Sequence, residues 1–197
     1  MCSSDLVCET TAVATGQAYT LTGSKSVVPV GDRADAWIVP AQLGGQIGLY
    51  LVEKGAAGVT TRGYLTQDGG RAAELNLKQT PAVRLTEHGL AALEHVVDMG
   101  IACLCAEAVG AMEKTLAITV EYMNTRKQFG VTLATFQALR HRVSDMKMQV
   151  ELARSMSYYA SLKLTAPADE RRMAISRAKY QLGQSIDRKS TRLNSSH

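Results

Sequence analysis

The residues whose side chains are best suited to bind a ligand lie in a short segment between two predicted helices. A guanidinium group pairs with phosphate through two parallel hydrogen bonds, and a phenyl ring offers a flat apolar face to a ring system. Basic residues also suit the end of a helix, and Gly130 would end one. Two interpretations therefore stay open, a site for a diphosphate and a ring, or a capped helix end with a solvated arginine. The residues concerned are Arg126, Lys127, Gln128, Phe129, Phe136 and Gln137.

The composition excludes several classes of function. The 197 residues are 46% hydrophobic and 20% charged, which is typical of a soluble globular protein. A net charge of +4 without clustered basic residues does not indicate nucleic-acid binding. We find no apolar run long enough for a membrane span and no signal peptide, so we expect a cytoplasmic protein.

The cysteines and histidines predict neither a disulfide framework nor a metal site. Cys103 and Cys105 fall in a helical pattern, where residues two apart point to different faces. The four histidines match no zinc spacing. No metal is therefore expected.

The first part of the chain, residues 7–85, has the pattern of a β domain. Tyr19–Thr22 alternates apolar and polar residues, and Gly23-Ser24 is expected to form a turn. Short apolar runs and glycine-containing turns then follow at regular spacing, which favours a barrel or a sandwich. The runs are Trp37–Val39, Gly48–Val52, Leu75–Leu77 and Val83, and the turns are Gly31-Asp32, Gly44-Gly45 and Asp68–Gly70.

The second part, residues 86–186, has the pattern of long helices. Good helix formers dominate from Leu90 to Thr125, and a second helix carries apolar residues in alternating steps of three and four, as in packed antiparallel helices. Asp169 and Glu170 lie near the start of a third helix. We thus predict an α+β chain, a partial β-barrel or sandwich middle domain followed by a truncated antiparallel helical bundle. The expected core positions are Ile101, Leu104, Ala108, Met112, Leu116 and Val120 in the first helix, and Phe136, Leu139, Val143, Met146, Val150, Ala153, Ser157, Ala160 and Leu164 in the second.

Both ends of the chain have sequences that differ in character from the rest. Residues 187–197 are polar and aperiodic, and they match one reading frame of a common sequencing adapter. Residues 1–6 fit the reverse strand of the same adapter. We therefore interpret residues 1–6 and 187–197 as artefact and the natural chain as an internal fragment.

Several of these segments resemble the acyl-CoA dehydrogenase family. The helical motif has a tyrosine, then an arginine, Phe-Gly and a following glutamine, and the β part resembles the family's middle domain. The sequence of the upstream helix is similar to that of family branches that include the small subunit of pimeloyl-CoA dehydrogenase. The segments are Glu121–Gly130, Phe136-Gln137, Asp145-Met146, Ala106–Met112, Leu21–Lys25, Gly31 and Ala34-Asp35.

The resemblance implies an oligomeric FAD enzyme that oxidises an acyl-CoA thioester and passes electrons to an electron-transferring flavoprotein. Arg126, Lys127, Gln128 and Phe129 match a contact to the flavin of a neighbouring subunit, and Phe136-Gln137 matches a second one. Val27, Val28 and Pro29 stand where the family has a segment against the isoalloxazine ring, although an ordinary strand end is an equal interpretation. Asp98 matches a substrate-side acid of some relatives, but we favour a solvated helix residue.

Some residues depart from the family pattern. Pro29 cannot supply the hydroxyl that relatives have, and Ile101 replaces an arginine of many relatives. Most relatives place the catalytic glutamate downstream of residue 186, so no catalytic residue is assigned here. Ile101 and Pro29 motivate one alternative to an enzyme subunit, a non-catalytic supporting subunit of a heteromeric acyl-CoA dehydrogenase. A third interpretation is a helical interaction module unrelated to flavin.

Overall fold

The computed structural model describes residues 8–16 and 18–194, with side chains as far as residue 187. The interpretation of residues 1–6 as artefact thus lies outside the described residues. The chain divides into two compact units, Met1–Leu93 and Glu94–His197. The first contains a β-sheet and the second contains helices, which confirms the predicted α+β class.

The β unit is a closed barrel with one additional strand. Its strand order is β2-β1-β3-β4-β6-β5, and a further pairing between β2 and β6 closes the first five of these strands into a ring. The sixth strand, β5, pairs only with β6. Of the two predicted alternatives, a barrel or a sandwich, the structure has the barrel. The strands are β1 (Thr11–Thr15), β2 (Ala18–Pro29), β3 (Ala36–Leu43), β4 (Gln46–Glu53), β5 (Val59–Leu65) and β6 (Arg71–Thr86).

The 16-residue strand β6 is shared by three antiparallel partners, β2, β4 and β5. The predicted apolar runs Leu75–Leu77 and Val83 both belong to it. Alternate residues of the strands point inward and pack into one apolar core. Its largest members are Leu21, Trp37, Val39, Tyr50, Val52, Leu75 and Leu77.

The expected turn at Gly23-Ser24 is wrong, because both residues lie inside β2. Gly23 has φ of 147°, and the strand pairing shifts by a residue between Leu21 and Gly23. A Cβ at Gly23 would lie 2.8 Å from Thr10 Cα. Glycine is therefore needed for close backbone approach, and that requirement gives the same sequence signal as a turn.

A tightly held turn follows β2. Val30 has φ of 54°, which is unfavourable for a β-branched residue, yet its N–H donates to Arg71 O at 2.9 Å. The Trp37 indole donates to Gly31 O at 3.0 Å. Arg71 Nε donates to Asp32 Oδ2 at 3.1 Å, and this guanidinium holds the pKa of the Asp32 carboxyl below its usual range. The turn thus keeps a strained residue because its neighbours fix it from both sides.

The helical unit is built on three long helices. Between the first two lie a two-stranded ribbon, β7 (Lys127–Gln128) and β8 (Val131–Thr132), and a single 3₁₀ turn at Leu133–Thr135. Pro167 precedes the third helix, and its carbonyl accepts from Arg171 N–H at 2.9 Å. The helices are α1 (Gly89–Thr125), α2 (Gln137–Leu162) and α3 (Ala168–Asn194).

The predicted seam of α2 is confirmed in its central part, where Val150, Ala153, Ser157 and Ala160 are buried. In α1 the prediction was wrong at Leu104, which is 54% exposed, while the neighbouring Cys105 is buried in the core. Steps of three and four fit either position, so the spacing did not distinguish the two residues. The core of the unit contains Ala102, Cys105, Val109, Met112, Val150, Ala153, Ala160, Ile175, Ala178 and Leu182.

Helix α1 corrects one sequence expectation. It contains an 18-residue window of mean hydropathy 1.5, so by length and composition it could cross a membrane. Core helices of bundles pass the same test, and α1 supplies four residues to the core it shares with α2 and α3. Only 22% of that window is buried inside the structure, so packing within the bundle explains part of its apolar character.

Asp98 of α1 is 5% exposed, so its interpretation as a solvated helix residue is wrong. Its Oδ2 accepts from Arg171 Nε of α3 at 2.7 Å. One turn away, Glu94 pairs with Arg172 nearer the surface. Two parallel ion pairs thus join α1 to α3, and the inner one is largely withdrawn from water.

Replacing Val30 with asparagine is expected to stabilise the chain by about 1 kcal/mol, because asparagine tolerates positive φ and valine does not. The free energy of unfolding from urea denaturation measures this effect. Val13→Asn is the control, since Val13 is an equally exposed valine in the regular strand β1. The same loss of stability in both variants would show that Val30 is not strained.

Asp98→Ala is expected to destabilise the helical unit by about 3–5 kcal/mol, because it leaves Arg171 buried without its partner. The double variant Asp98→Leu with Arg171→Met should recover most of this loss. Arg172→Met, which removes the more exposed pair, should cost about 1 kcal/mol or less. Thermal unfolding of the three variants compares them, and equal losses from Asp98→Ala and Arg172→Met would contradict the assignment.

Candidate functional site

The segment that contains the predicted binding residues Arg126–Phe129 forms a small hairpin at the end of α1. Helix α1 ends at Thr125, and Leu133 N–H donates to Arg126 O at 2.9 Å, which brings the chain back beside the helix end. Phe129 and Gly130 have φ of 54° and 80°. Two positive φ values in a row are what a type I′ hairpin turn requires. A phenylalanine at the first of these positions is unusual, and it lies at the tip of the hairpin.

The Phe129 ring is almost completely outside the protein. It is 91% exposed, and its described ring contact is an edge-to-face one with Phe136, at 6.3 Å between centroids. Phe136 precedes α2, and Gln137 begins that helix with an exposed side chain. The structure thereby brings both predicted aromatic residues together. An exposed ring held by a strained turn is typical of a surface that binds something else.

The cations of the hairpin have no partners within the described part of the chain. Arg126 and Lys127 are exposed and form no ion pair there. By contrast, several other arginines of the chain pair with a carboxylate. Those arginines are Arg71, Arg84, Arg154, Arg171 and Arg172. The hairpin thus keeps two cationic groups available to an external anion.

A cleft of about 400 Å³ lies beside the hairpin, between the end of α1 and the start of α2. Arg140 lines it together with apolar residues, and its guanidinium makes no ion pair with a described carboxylate. Arg140 was not among the predicted site residues, although it follows Phe136 by one helical turn. Helical spacing from a selected aromatic residue would have been the signal. The lining residues are Val120, Met123, Asn124, Ala134, Arg140, Val143 and Ser144.

The second predicted segment, Val27–Pro29, lies in the β unit at the end of β2. Val27 has φ of 54° and is 61% exposed, and a register shift separates Lys25 from Val28 in the pairing with β6. Pro29 is paired opposite Ala72. The segment is therefore a bulged strand end, and its side chains offer no hydroxyl group.

The side chains of the hairpin are of the types that bind FAD, whereas those at the end of β2 fit FAD only in part. Arg126, Lys127 and Gln128 offer charged and neutral donors to a diphosphate, and Phe129 offers an exposed ring face. At Val27–Pro29 only backbone groups and apolar side chains are available. Asp98 does not meet a ligand in this structure, because its carboxylate is engaged with Arg171.

The sequence comparisons place the helical part in a known family. The model of the acyl-CoA dehydrogenase C-terminal domain matches residues 87–188. The short-chain-specific acyl-CoA dehydrogenase of Megasphaera elsdenii is 34% identical over 158 residues, which are 74% of this chain and 41% of that protein.

The structural comparisons extend to both units. Butyryl-CoA dehydrogenase from Megasphaera elsdenii matches with a TM-score of 0.79 and 27% identity over 96% of this chain and 54% of that one. The ChsE4-ChsE5 complex from Mycobacterium tuberculosis matches with a TM-score of 0.70 and 28% identity, over 90% of this chain and 50% of that one. The chain thus spans about half the length of these relatives. Because the family model alone matches more than half of its residues, this chain belongs to the acyl-CoA dehydrogenase family, whose members depend on FAD.

Proposed function

We propose that this chain is part of a flavoprotein that oxidises an acyl-CoA thioester between its α and β carbons. The observation that carries the proposal is the hairpin at Arg126–Gly130, which has two unpaired cations and an exposed aromatic ring. Family membership supports it, because these residues occupy the motif by which the chain resembles the family.

The proposed role of the hairpin is to bind FAD of a neighbouring subunit. Arg126 would pair with the diphosphate through two hydrogen bonds, and Lys127 and Gln128 would add a charge and an amide donor. Phe129 and Phe136 would contact a ring of the cofactor, with Gln137 beside them. When bound, FAD supplies the hydride acceptor.

The proposed contact across a subunit boundary follows from the exposure of the hairpin. A ring that is 91% exposed gains stability only when another surface covers it. We therefore propose a homo- or hetero-oligomer, with an electron-transferring flavoprotein as the acceptor. The free cysteines Cys8, Cys103 and Cys105 are compatible with the cytoplasm, where we place the protein.

We assign no catalytic base among the described residues. Removal of the α-proton needs a carboxylate near the thioester, whose carbonyl must accept hydrogen bonds. Asp98 is held by Arg171 inside the bundle, so we do not assign it that role. We propose that the base and the rest of the acyl-CoA site come from residues outside this chain.

A second candidate function is that of a supporting subunit in a heteromeric enzyme. Ile101, which stands where many relatives have an arginine, packs against the apolar core of the bundle. Pro29 supplies no hydroxyl at the proposed flavin contact. The likeness to the ChsE4-ChsE5 complex supports a heteromer as an arrangement available to this fold. Turnover of acyl-CoA by the full-length protein alone would favour the enzyme, and turnover only with a second subunit would favour the supporting role.

Arg126→Ala in the full-length protein is expected to weaken FAD binding about 10- to 100-fold, the effect of losing a hydrogen-bonded ion pair. FAD retention is followed by flavin absorbance at about 450 nm. Circular dichroism should show unchanged helicity, because Arg126 is exposed and lies beyond the end of α1.

Arg177→Ala is the matched control, since Arg177 is an exposed arginine of α3 without an ion pair among the described residues. FAD affinity should be unchanged in this variant. Equal affinities of the Arg126→Ala and Arg177→Ala proteins would refute the phosphate contact. A wild-type protein that binds no FAD in any assembly would refute the flavoprotein function and favour a helical interaction module.

A further inference from the structure

Helix α2 carries apolar residues on two opposite faces. One face packs into the core of the helical unit, and its buried members include Val150 and Ala153. The other face, which we call the outer seam, has members in steps of four, three, four and three, as along the contact line of a coiled coil. A helix that is apolar on more than one side is normally covered on each of those sides. The outer seam consists of Met148, Leu152, Ser155, Tyr159 and Leu162.

Much of the outer seam is exposed to solvent. Met148 and Leu152 are exposed, and Leu162, at the end of α2, is 79% exposed. Tyr159 is half-buried, and the neighbouring Tyr158 is exposed. Methionine and tyrosine are enriched in subunit interfaces, where a tyrosine ring can pack while its hydroxyl stays in water. Both the exposure and the residue types therefore favour a contact with another protein surface.

The charged residues beside the outer seam neutralise one another within the chain. Lys147 pairs with Glu151, and Arg154 pairs with both Glu151 and Glu113 of α1. These four residues are two cations and two anions, so together they have no net charge. A strongly acidic or basic partner would gain little attraction here. A second copy of the chain would not be repelled, because its own four residues are neutral as well.

The outer seam also complements itself in size when two copies run antiparallel. If Ser155 of one copy lies opposite Tyr159 of the other, the small side chain leaves room for the large ring. Leu152 lies three residues before Ser155, and Leu162 lies three residues after Tyr159, so these two leucines then face each other. A two-fold axis repeats both pairs, as in the interfaces of most homodimers. The seam thus matches a second α2 helix residue by residue.

We propose that the outer seam of α2 binds the outer seam of a second copy of this chain, with the two helices antiparallel about a two-fold axis. This goes beyond the proposed function, because the surface is separate from the hairpin and requires no FAD. A stable interface covers about 800 Å² of each subunit, so the seam, which is about four helical turns long, forms the centre of a larger contact.

Disulfide trapping in the full-length protein tests this arrangement. A chain with both Leu152→Cys and Leu162→Cys should give a covalent dimer on a non-reducing gel, because the two new thiols of different copies face each other. Helices packed about 8–10 Å apart bring facing Cα atoms within the limit of about 7 Å for a disulfide. Each single variant should stay monomeric on the gel, since the two copies of either residue lie about 15 Å apart along the helices. The wild type is the control for the exposed native Cys103.

A covalent dimer of the double variant alone would support the proposal. Equal dimer yields from a single variant would overturn the antiparallel arrangement. A double variant that gives no more dimer than the wild type would overturn the interface and show that another segment or another protein covers the seam. None of these results depends on FAD, so a failure here differs from a failure of the flavoprotein function, which is read from flavin absorbance.

A second comparison covers the case in which the double variant does not fold. Leu162→Glu places a charge at the exposed end of the seam and should weaken self-association about 10- to 100-fold. Val83→Glu, which changes an exposed residue of the β unit, should leave self-association unchanged. Analytical ultracentrifugation of the full-length variants measures both, and equal dissociation constants would overturn the proposal.

Discussion

The pairing of β2 with β6 is the constraint on which the β unit depends. It closes the barrel, and β6 also carries β4 and β5, so a single strand connects three of its neighbours. Two irregular strands rarely pair over a long stretch without a local mismatch. Here the mismatch is concentrated at two shifts, one at Gly23 and one at Ser26–Val27. The first is relieved by the absence of a side chain, and at the second Ser26 and Val27 lie together opposite Glu74.

The helical unit depends on a buried ion pair between two of its helices. Small residues such as Ala153 of α2 and Ala178 of α3 lie in its core, and the Asp98–Arg171 pair joins α1 to α3. A buried ion pair contributes little net stability compared with apolar packing, but it strongly penalises arrangements that separate its partners. It therefore fixes the relative register of α1 and α3. The position of the end of α1, where the hairpin starts, depends on that register.

The sequence predicted the features that follow from local period and missed those that depend on distant partners. The seam of α2 and the barrel class could be derived because alternation and helical spacing reflect burial directly. Asp98 could not be placed, since its partner Arg171 is 73 residues away along the chain. The bulge at Val27 contradicts the local preference of valine, so no propensity argument could have predicted it. The role of Gly23 was misread because close approach and turns both require glycine.

The position of Phe129 decides how the hairpin should be interpreted. A helix end can be capped by glycine and a basic residue without placing an aromatic ring at a positive φ in solvent, so capping alone does not explain the arrangement. Exposing a phenylalanine and straining its backbone are both unfavourable for an isolated chain. Each becomes favourable if a partner surface covers the ring and an anion neutralises Arg126 and Lys127. The local cost is thus one that an intermolecular contact at the hairpin would offset.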